Sequence, residues 1–386
     1  MPAIEAAGNV GYVFGAHGPI MGAQTAFVYN FHRDQYNALV ALEPMHDRAW
    51  FEANHPDWLV YRADQNMLAS DEDVRDAGQL TLDISNPAVV QYQFDNFVKL
   101  GIDRGFSRIG FDGVYIINPN KWSGVYRDGQ WVQLYSGEKA DPALADAVIG
   151  WARAMREKIK AYNSSVQLDM NYTLRDEYPE AYARLLPYLD GVFDERGFTN
   201  WGQAGPNFAT DDLWARIVSG MRLLRNGGKL VFINGEVPVT DPGTPAATYA
   251  DLKASIRPLE ATVDATAIQW VLANYLLVKG SDFYTNVSAY FVRPNFGPGR
   301  VKQGVQDYGR YVDRPAYHAP IGAPVGDMYE GGGVYWRAYT NGVVLVNPSN
   351  SDARTVTLPR AYQTLNGNPV ASLTMEAPSG VMLLRA

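Results

Sequence analysis

The sequence predicts an α/β protein, a (β/α)8 TIM barrel followed by a small antiparallel all-β domain, on three observations. The chain has 386 residues, and a β/α barrel fills about 250 residues as one domain. Short runs rich in Val, Ile, Phe and Tyr alternate with longer segments of helical spacing, as in βα units around a parallel sheet. From about Gly322 the pattern changes to short strands separated by turn signals such as Asn341-Gly342. We therefore predict a barrel over residues 1–315 and a β-sandwich over residues 322–386.

Nine segments of the first region have strand character, one more than a barrel needs. We expect Trp58–Tyr61 to be the extra one, because His55-Pro56 before it and the polar stretch after Asp64 indicate an excursion. The nine predicted strands are Gly11–Phe14, Ala38–Leu42, Trp58–Tyr61, Leu80–Ile84, Ile109–Ile117, Val166–Asn171, Gly191–Glu195, Leu230–Asn234 and Phe283–Val287.

Helices are predicted between these strands, and two have clear boundaries. In Ser85-Asn86-Pro87 a good N-cap residue precedes a proline at the first helical turn, and Asn226-Gly227-Gly228 is a C-terminal stop. The predicted helices are Pro87–Arg104, Ala143–Ala161, Glu177–Leu186, Asp211–Leu224 and Leu259–Lys279; the predicted strands of the second domain are Val334–Tyr339, Val343–Val346, Thr355–Leu358, Ser372–Met375 and Val381–Leu384.

Composition excludes several classes of function. The net charge is −8 and the basic residues are scattered, which argues against nucleic acid or an anionic membrane as a partner. The chain has no cysteine, its five histidines are dispersed without a His-Glu-x-x-His motif, and it contains neither a nucleophile elbow nor a P-loop. We therefore expect no cofactor and no metal. The N-terminal residues lack a secretory signal, so we expect a secreted or periplasmic protein if a signal was removed, and otherwise a cytoplasmic one. The oligomeric state stays open.

Acidic and amide side chains fall at the C-terminal ends of four predicted strands, where a β/α barrel keeps its reactive groups. Carboxylates that converge from different strands suit glycosidic bond cleavage, in which one protonates the leaving oxygen and another attacks carbon or activates water. The substrate would then be a carbohydrate. These residues are Asp83, Asp169 with Asn171, Asp194 with Glu195, and Asn234 with Glu236.

Glu195 is the first catalytic candidate, although a salt bridge with Arg196 is the alternative. Alternation along a strand places Asp194 on the opposite face, which favours a structural role for it. Asp169 could act as a catalytic group or could orient a substrate hydroxyl or another acid, and Glu236 could be catalytic or a solvated loop carboxylate. Asp83 could bind substrate or precede the helix cap. Asp112 and Asp190 are interpreted as mainly structural, because Asp112 is expected at the start of its strand.

Aromatic side chains cluster after the acids, and a flat ring suits the apolar C–H face of a sugar. Trp122, Tyr126, Trp131 and Tyr135 surround a predicted turn at Asp128-Gly129, and Phe198, Trp201 and Phe208 follow Glu195. The predicted substrate-binding residues are Asn171, Trp122, Trp131, Trp201, Asn118, Asn234 and Asp83.

Four segments together resemble the hypothetical glycoside hydrolases that combine a TIM barrel with a C-terminal β-sandwich. They are Leu82-Asp83-Ile84-Ser85-Asn86-Pro87, Gly110-Phe111-Asp112-Gly113-Val114-Tyr115, Asp190-Gly191-Val192-Phe193-Asp194-Glu195 and Ala273-Asn274-Tyr275-Leu276-Leu277-Val278-Lys279, and the tail from Gly342 to Leu384 looks like the sandwich. The resemblance implies one acid on strand six and another on strand four.

The strand-six acid of the resemblance corresponds to Glu195. The strand-four acid would lie five residues after Asp112, where this chain has Ile117. An isoleucine can neither attack nor transfer a proton, so the second carboxylate must be Asp169 or Glu236, or hydrolysis has been lost. We predict a glycoside hydrolase of a polysaccharide or oligosaccharide. The alternatives are a carbohydrate-binding barrel without hydrolase activity, which Ile117 favours, and a lyase or aldolase, for which no lysine is found at a strand end.

Overall fold

The structure is a computed structural model that describes residues 12–14, 24–30, 35–36, 46, 48–65, 81–112, 116–118, 121–171, 178–199, 208–240, 263–292, 304–306 and 314–386. The chain divides into two compact units. The first contains residues 1–172 and 176–193, and the second contains residues 173–175 and 194–386.

The described strands and helices are numbered here in chain order. The strands are β1 (Tyr12–Phe14), β2 (Gln24–Asn30), β3 (Gln35–Tyr36), β4 (Tyr61–Arg62), β5 (Arg108–Asp112), β6 (Trp122–Arg127), β7 (Gln130–Gln133), β8 (Gln167–Asn171), β9 (Gly191–Asp194), β10 (Leu230–Thr240), β11 (Phe283–Val292), β12 (Gly304–Gln306), β13 (Pro324–Gly331), β14 (Val334–Tyr339), β15 (Gly342–Asn347), β16 (Arg354–Gln363), β17 (Pro369–Met375) and β18 (Ser379–Arg385). The α-helices are α1 (Arg48–Asn54), α2 (Pro87–Gln93), α3 (Lys99–Asp103), α4 (Pro142–Tyr162), α5 (Pro179–Leu185), α6 (Asp211–Asn226) and α7 (Ala265–Val278).

The first unit contains a parallel sheet in the order β1, β2, β5, β8 and β9. Strand β2 was missed by sequence reasoning, and the predicted strand Ala38–Leu42 lies outside the described residues. The segment Trp58–Tyr61 lies outside the parallel sheet, as expected. It ends a 3-10 turn at Trp58 and enters β4, which pairs antiparallel with β6 in a separate three-stranded sheet.

Leu82 likewise forms an isolated antiparallel bridge with Leu59 rather than a strand of the parallel sheet. The predicted turn at Asp128-Gly129 connects β6 to β7, and both residues have positive φ, 50° and 74°. Such φ values match the right-handed twist of a tight hairpin. Strands β6 and β7 carry Trp122, Tyr126 and Trp131 of the predicted aromatic cluster.

Helix α2 begins at Pro87 as predicted and α4 begins one residue before the predicted Ala143, whereas α1 was missed. Asn86 caps α2 by accepting a hydrogen bond from the N–H of Ala88. Helix α2 continues through a π-helical turn at Phe94–Val98 into α3, so the single predicted helix Pro87–Arg104 covers α2, this turn and α3. Asp141 caps α4 through the N–H groups of Ala143 and Leu144. A buried hydrogen bond of 2.7 Å from Trp151 Nε1 to Gln93 Oε1 joins α4 to α2.

In the second unit β10 and β11 run parallel, and β12 pairs antiparallel with β11. Helix α7 packs against β10 at a point where only glycine fits, because a Cβ on Gly235 would lie 2.5 Å from Val271 Cγ2. The other side of α7 contacts β18, where a Cβ on Gly380 would lie 2.8 Å from Ala273 Cβ. One helix therefore packs against strands of both sheets of this unit.

The C-terminal strands form a six-stranded antiparallel sheet in the order β13, β14, β15, β18, β16 and β17. Five of its strands match predicted ones, and β13 was missed. Arg337 Nη1 donates to the carbonyls of Leu276, Leu277 and Lys279, and Tyr339 Oη donates to that of Leu276. The sheet thus satisfies carbonyl groups that a helix end leaves without partners.

The described residues therefore show mixed α/β architecture with parallel strands, followed by an antiparallel sheet. Closure of the parallel strands into an eight-stranded barrel stays a prediction. Among the described helices, none combines the length and the apolar character that a membrane crossing requires.

Candidate active site

The turn after β9 is built by the side chain of Asp194, which is 1% exposed. Its Oδ1 accepts hydrogen bonds from the N–H groups of Arg196 at 3.1 Å and Gly197 at 3.0 Å. Glu195 lies between these anchored positions and is half-buried. The local sequence therefore fixes the backbone on both sides of Glu195, and Asp194 has the structural position that strand alternation predicted.

This turn lies directly against β10. Gly197 has a φ of +52°, and a Cβ at this position would meet Ile233 Cγ2 at 2.7 Å and the carbonyl oxygen of Asn234 at 2.9 Å. A side chain at residue 197 would therefore push the turn away from the strand. The glycine sets how closely the segment carrying Glu195 approaches β10.

Thr199 connects the turn to Glu236. Its Oγ1 donates to the carbonyl of Arg196 at 2.8 Å and accepts from the N–H of Glu236 at 3.1 Å. Arg196, which is buried, donates from Nε to the carbonyl of Thr199 at 3.1 Å. The segment that holds Glu195 and the strand that holds Glu236 are thus joined through one hydroxyl group.

Glu236 lies within β10 and not in a loop, so the predicted strand end at Asn234 was wrong. The parallel pairing with β11 continues from Val231 to Thr240, and this ladder extends the strand past Pro238. Glu236 is 1% exposed rather than solvated. A solvated loop carboxylate, one of the two interpretations of this residue, is thereby excluded.

Asn234 and Glu236 share one face of β10 with Ser288, the register partner of Glu236 on β11. Asn234 Nδ2 donates to Glu236 Oε1 at 3.1 Å, while Asn234 Oδ1 accepts from Ser288 Oγ at 3.1 Å. All three are buried. The opposite face of β10 carries Gly235 and packs on α7, so the polar row points away from the helix and is a pre-ordered hydrogen-bonding surface.

Asp169 is held in a buried ion pair in the first unit. Arg108 Nε donates to Oδ2 and Arg108 Nη2 donates to Oδ1, both at 2.6 Å, and neither side chain is more than 6% exposed. A Cβ on Gly191 would overlap Asp169 Oδ1 and lie 2.9 Å from Arg108 Nη2. Both oxygens of Asp169 are therefore engaged by a guanidinium, a geometry that suits positioning or stability better than nucleophilic attack.

Strand β5 ends at Asp112, so the prediction that Asp112 starts its strand was wrong. The sequence interpretation extended the strand to Ile117 because apolar residues follow, whereas ladder pairing covers Arg108–Asp112. Asn171, at the end of β8, donates from Nδ2 to Asp112 Oδ1 at 2.8 Å. Asp112 therefore lies at the C-terminal end of a parallel strand. The turn signal Asp-Gly could have identified this end.

The same correction moves Ile117 away from the strand end. A missing acid at position 117, where the resemblance implies the strand-four acid, was the basis for the carbohydrate-binding alternative. With β5 ending at Asp112, the residue at the strand end is an acid.

Asp83 is fully buried and its carboxylate is shared between two partners. Oδ1 accepts from the N–H of Ser85 at 3.0 Å and from its hydroxyl at 2.5 Å, and Oδ2 accepts from Arg127 Nη2 at 3.1 Å. The helix cap itself is Asn86. Burial, followed by the negative charge of Asp83, raises the pKa of the Tyr135 phenol well above its usual value.

The remaining predicted binding residues differ in position. Asn118 is 1% exposed and uses its side-chain amide to bond the N–H and carbonyl of Trp122, so it closes that loop. Trp122 is buried at 3% exposure. Trp131 is half-buried and packs edge to face on Tyr126 with ring centroids 5.4 Å apart. Trp201 lies outside the described residues. In the described ranges, no group of three or more His, Asp or Glu side chains could hold a metal ion.

Parallel strands that end in acidic and amide side chains, next to ordered turns, define an α/β protein with a polar site at its strand ends. The chain belongs to hypothetical glycosyl hydrolase family 15, whose model matches residues 27–343. The predicted family relationship is therefore confirmed.

Among solved structures, the chain is similar to the glycoside hydrolase domain of PelA from Pseudomonas aeruginosa, at 12% identity and a TM-score of 0.41 over 79% of this chain and 94% of that chain. It is also similar to an alpha-amylase from Lactobacillus plantarum, at 11% identity and a TM-score of 0.43 over 95% of this chain and 79% of that chain. The comparison with curated proteins gives no match. Family membership alone supports the class assigned above.

Proposed function

We propose that this protein is a glycoside hydrolase that cleaves a glycosidic bond in a polysaccharide or oligosaccharide by paired carboxylates. In this proposal residues 1–315 form a closed (β/α)8 catalytic barrel and residues 322–386 a separate β domain. Glu195 acts as the general acid. Glu236 acts as nucleophile or base, with Asp169 as the other predicted partner.

The observation that carries the proposal is the connection between the two glutamates. The turn holding Glu195 packs on β10 at Gly197 and is hydrogen-bonded through Thr199 to the backbone of Glu236. Two carboxylates on rigid, mutually bonded segments provide the fixed geometry that glycosidic bond cleavage requires.

The environments of the two glutamates support different roles. Glu195 is half-buried, which leaves it accessible to a leaving-group oxygen. Glu236 is buried and accepts an N–H bond from Asn234, and such a donor stabilises the negative charge that a nucleophile or base must carry. Opposed environments for two titratable groups are the usual basis of acid and base assignments.

Glu236 is favoured over Asp169 as the second group. Each oxygen of Asp169 accepts a 2.6 Å bond from Arg108, and freeing an oxygen would break a buried ion pair. Glu236 Oε1 accepts a 3.1 Å bond from the neutral side-chain amide of Asn234.

The test measures reducing-sugar release across a glycan panel for the wild type, Glu195→Gln and Glu236→Gln. Exposed Glu180→Gln is the matched control. We expect both active-site variants to lose about 10²-fold or more in kcat/KM, because a positioned acid or base contributes about 10²–10⁴-fold. Wild-type rates in both variants would contradict the proposal.

Aryl glycosides separate the two roles. A good leaving group needs little protonation, so Glu195→Gln should retain much more activity on a nitrophenyl glycoside than on a glycan, while Glu236→Gln should lose activity on both. The reverse order would exchange the assignments. The anomer first formed, followed by NMR, then distinguishes a retaining pair with carboxyl groups about 5 Å apart from an inverting pair at about 6.5–9.5 Å.

A further inference from the structure

A pocket of about 420 Å³ lies beside the start of β11 in the second unit. Its charged lining consists of Arg225, Lys279, Asp327 and Arg337, and the polar Ser281 also lines it. Three cations and one carboxylate therefore face this space in a chain whose net charge is −8. The local charge is opposite in sign to that of the whole protein.

The carboxylate in this pocket is already neutralised. Asp327 forms ion pairs with Arg225 at 2.9 Å and with Arg222 at 3.2 Å. In the part of the chain that the structure describes, neither Lys279 nor Arg337 forms an ion pair with a carboxylate, although the charge of Asp327 acts on Arg337. The pocket therefore carries a net positive charge.

Arg337 is 5% exposed but uses only part of its guanidinium within the protein. Nη1 donates to carbonyls at the end of α7, and Nε donates to the carbonyl of Gly326 at 3.3 Å. Among the described residues Nη2 has no hydrogen-bond partner. A guanidinium held from one side in this way is oriented, and its remaining N–H groups are available to a ligand.

Lys279 follows the last residue of α7, and its ammonium lies 5.6 Å from the centre of the Tyr275 ring. Burial, and then the nearby charge of Arg337, lower the pKa of Lys279 below its ordinary value. The folded chain therefore holds two cations close together at an energetic disadvantage, which a bound anion would remove.

We propose that this pocket binds a phosphate group, either free or carried by a sugar. The arginine offers directed N–H donors and the lysine a point charge, the combination that phosphate oxygens accept. The volume lies within the range of about 300–1,000 Å³ that is typical of small-molecule sites. Ser281 lies in the turn before β11, and Phe283, where β11 begins, is already about 16 Å along the strand from Ser288, so the pocket is distinct from the candidate active site.

The test is calorimetric titration of the full chain with inorganic phosphate, with glucose 6-phosphate and with glucose. We expect saturable binding of both phosphate compounds and none of glucose, with affinity that falls as salt rises. The tighter of the two ligands identifies the source of the phosphate group. If neither phosphate compound binds saturably, the proposal is overturned.

Lys279→Gln is the informative variant, because Arg337 also holds the end of α7 and its replacement would disturb folding. We expect phosphate affinity to fall about tenfold, the loss of one charged hydrogen bond. Exposed Lys121→Gln is the matched control and should bind as the wild type does. Equal affinity in Lys279→Gln would overturn the proposal.

Thermal unfolding adds a measurement that a structural lysine would change differently. Without phosphate, Lys279→Gln should unfold at the same or a higher temperature than the wild type, because a disfavoured cation is removed. With the same phosphate concentration, the wild type and Lys121→Gln should gain more stability than Lys279→Gln, whose affinity is lower. A lower unfolding temperature of Lys279→Gln without phosphate would show that this lysine serves the fold, and would overturn its role in a site.

Discussion

Asp169→Asn separates the two roles that the sequence leaves open for this residue. Asn keeps the size of the side chain but removes the charge that compensates Arg108, whose side chain is 6% exposed. Removing one partner of a buried ion pair costs about 3–5 kcal/mol, because the other charge stays buried without compensation. Since a folded domain is stable by only about 5–15 kcal/mol, this loss is a large fraction of the total.

The assay is urea unfolding followed by tryptophan fluorescence, with reducing-sugar release measured on the same preparations. We expect Asp169→Asn to shift the unfolding midpoint strongly. Replacing both partners, as Arg108→Met with Asp169→Leu, should recover most of the loss, because an apolar pair of similar volume removes both buried charges. Together with the single variants Arg108→Met and Asp169→Leu, the double variant completes a cycle that measures the coupling between the two side chains.

The reasoning would be refuted by an Asp169→Asn protein that unfolds within about 0.5 kcal/mol of the wild type, the range of surface substitutions, yet has lost turnover. Asp169 would then be the catalytic partner of Glu195. Gly191→Ala gives an independent check, because its Cβ would press on the same ion pair without changing any charge.

Two further stability predictions follow from close packing and from capping. Gly235→Ala should lower the free energy of unfolding in urea by about 1–3 kcal/mol, because the added methyl overlaps Val271. The control Gly150→Ala in α4, which has open space around it, should be neutral or stabilising. Equal effects of the two substitutions would contradict the packing argument. Asp141→Ala should destabilise by about 0.5–2 kcal/mol as a lost N-cap. Burial disfavours the charged form of Asp141, but hydrogen bonds from Ser136 and from backbone N–H groups outweigh burial and hold the pKa of Asp141 below its usual value. The contribution of Asp141 to the free energy of unfolding is therefore present above about pH 4 and is lost as pH falls through the folded pKa. A difference between wild type and Asp141→Ala that does not shrink in acid would refute this sign.

Helix positions were largely predictable because capping is local. Asn86 before Pro87 and the glycines after Asn226 mark helix ends within a few residues of sequence, and the structure has α2 beginning at Pro87 and α6 ending at Asn226. No distant contact is needed to predict such ends.

Strand ends were less predictable because a ladder partner decides them. The apolar run after Asp112 resembles a strand that continues to Ile117, but the described strand is Arg108–Asp112, and Ile116 and Ile117 lie in a bend. In the opposite direction, the strand was predicted to end at Asn234, yet pairing with β11 carries β10 to Thr240. These two errors changed the interpretation of Asp112, Ile117 and Glu236, whereas the domain boundary near residues 315–322 stays a prediction.

The sequence by itself determined the family relationship and the set of acids that follow strands, because these depend on residue types and short spacings. Only the tertiary structure decided which acid is engaged by a cation and which faces a neutral amide. Arg108 is 61 residues from Asp169, and Ser288 is 54 residues from Asn234. Hydrogen bonds between residues so far apart in the chain form only when the strands pair, and they assign a different environment to each carboxylate.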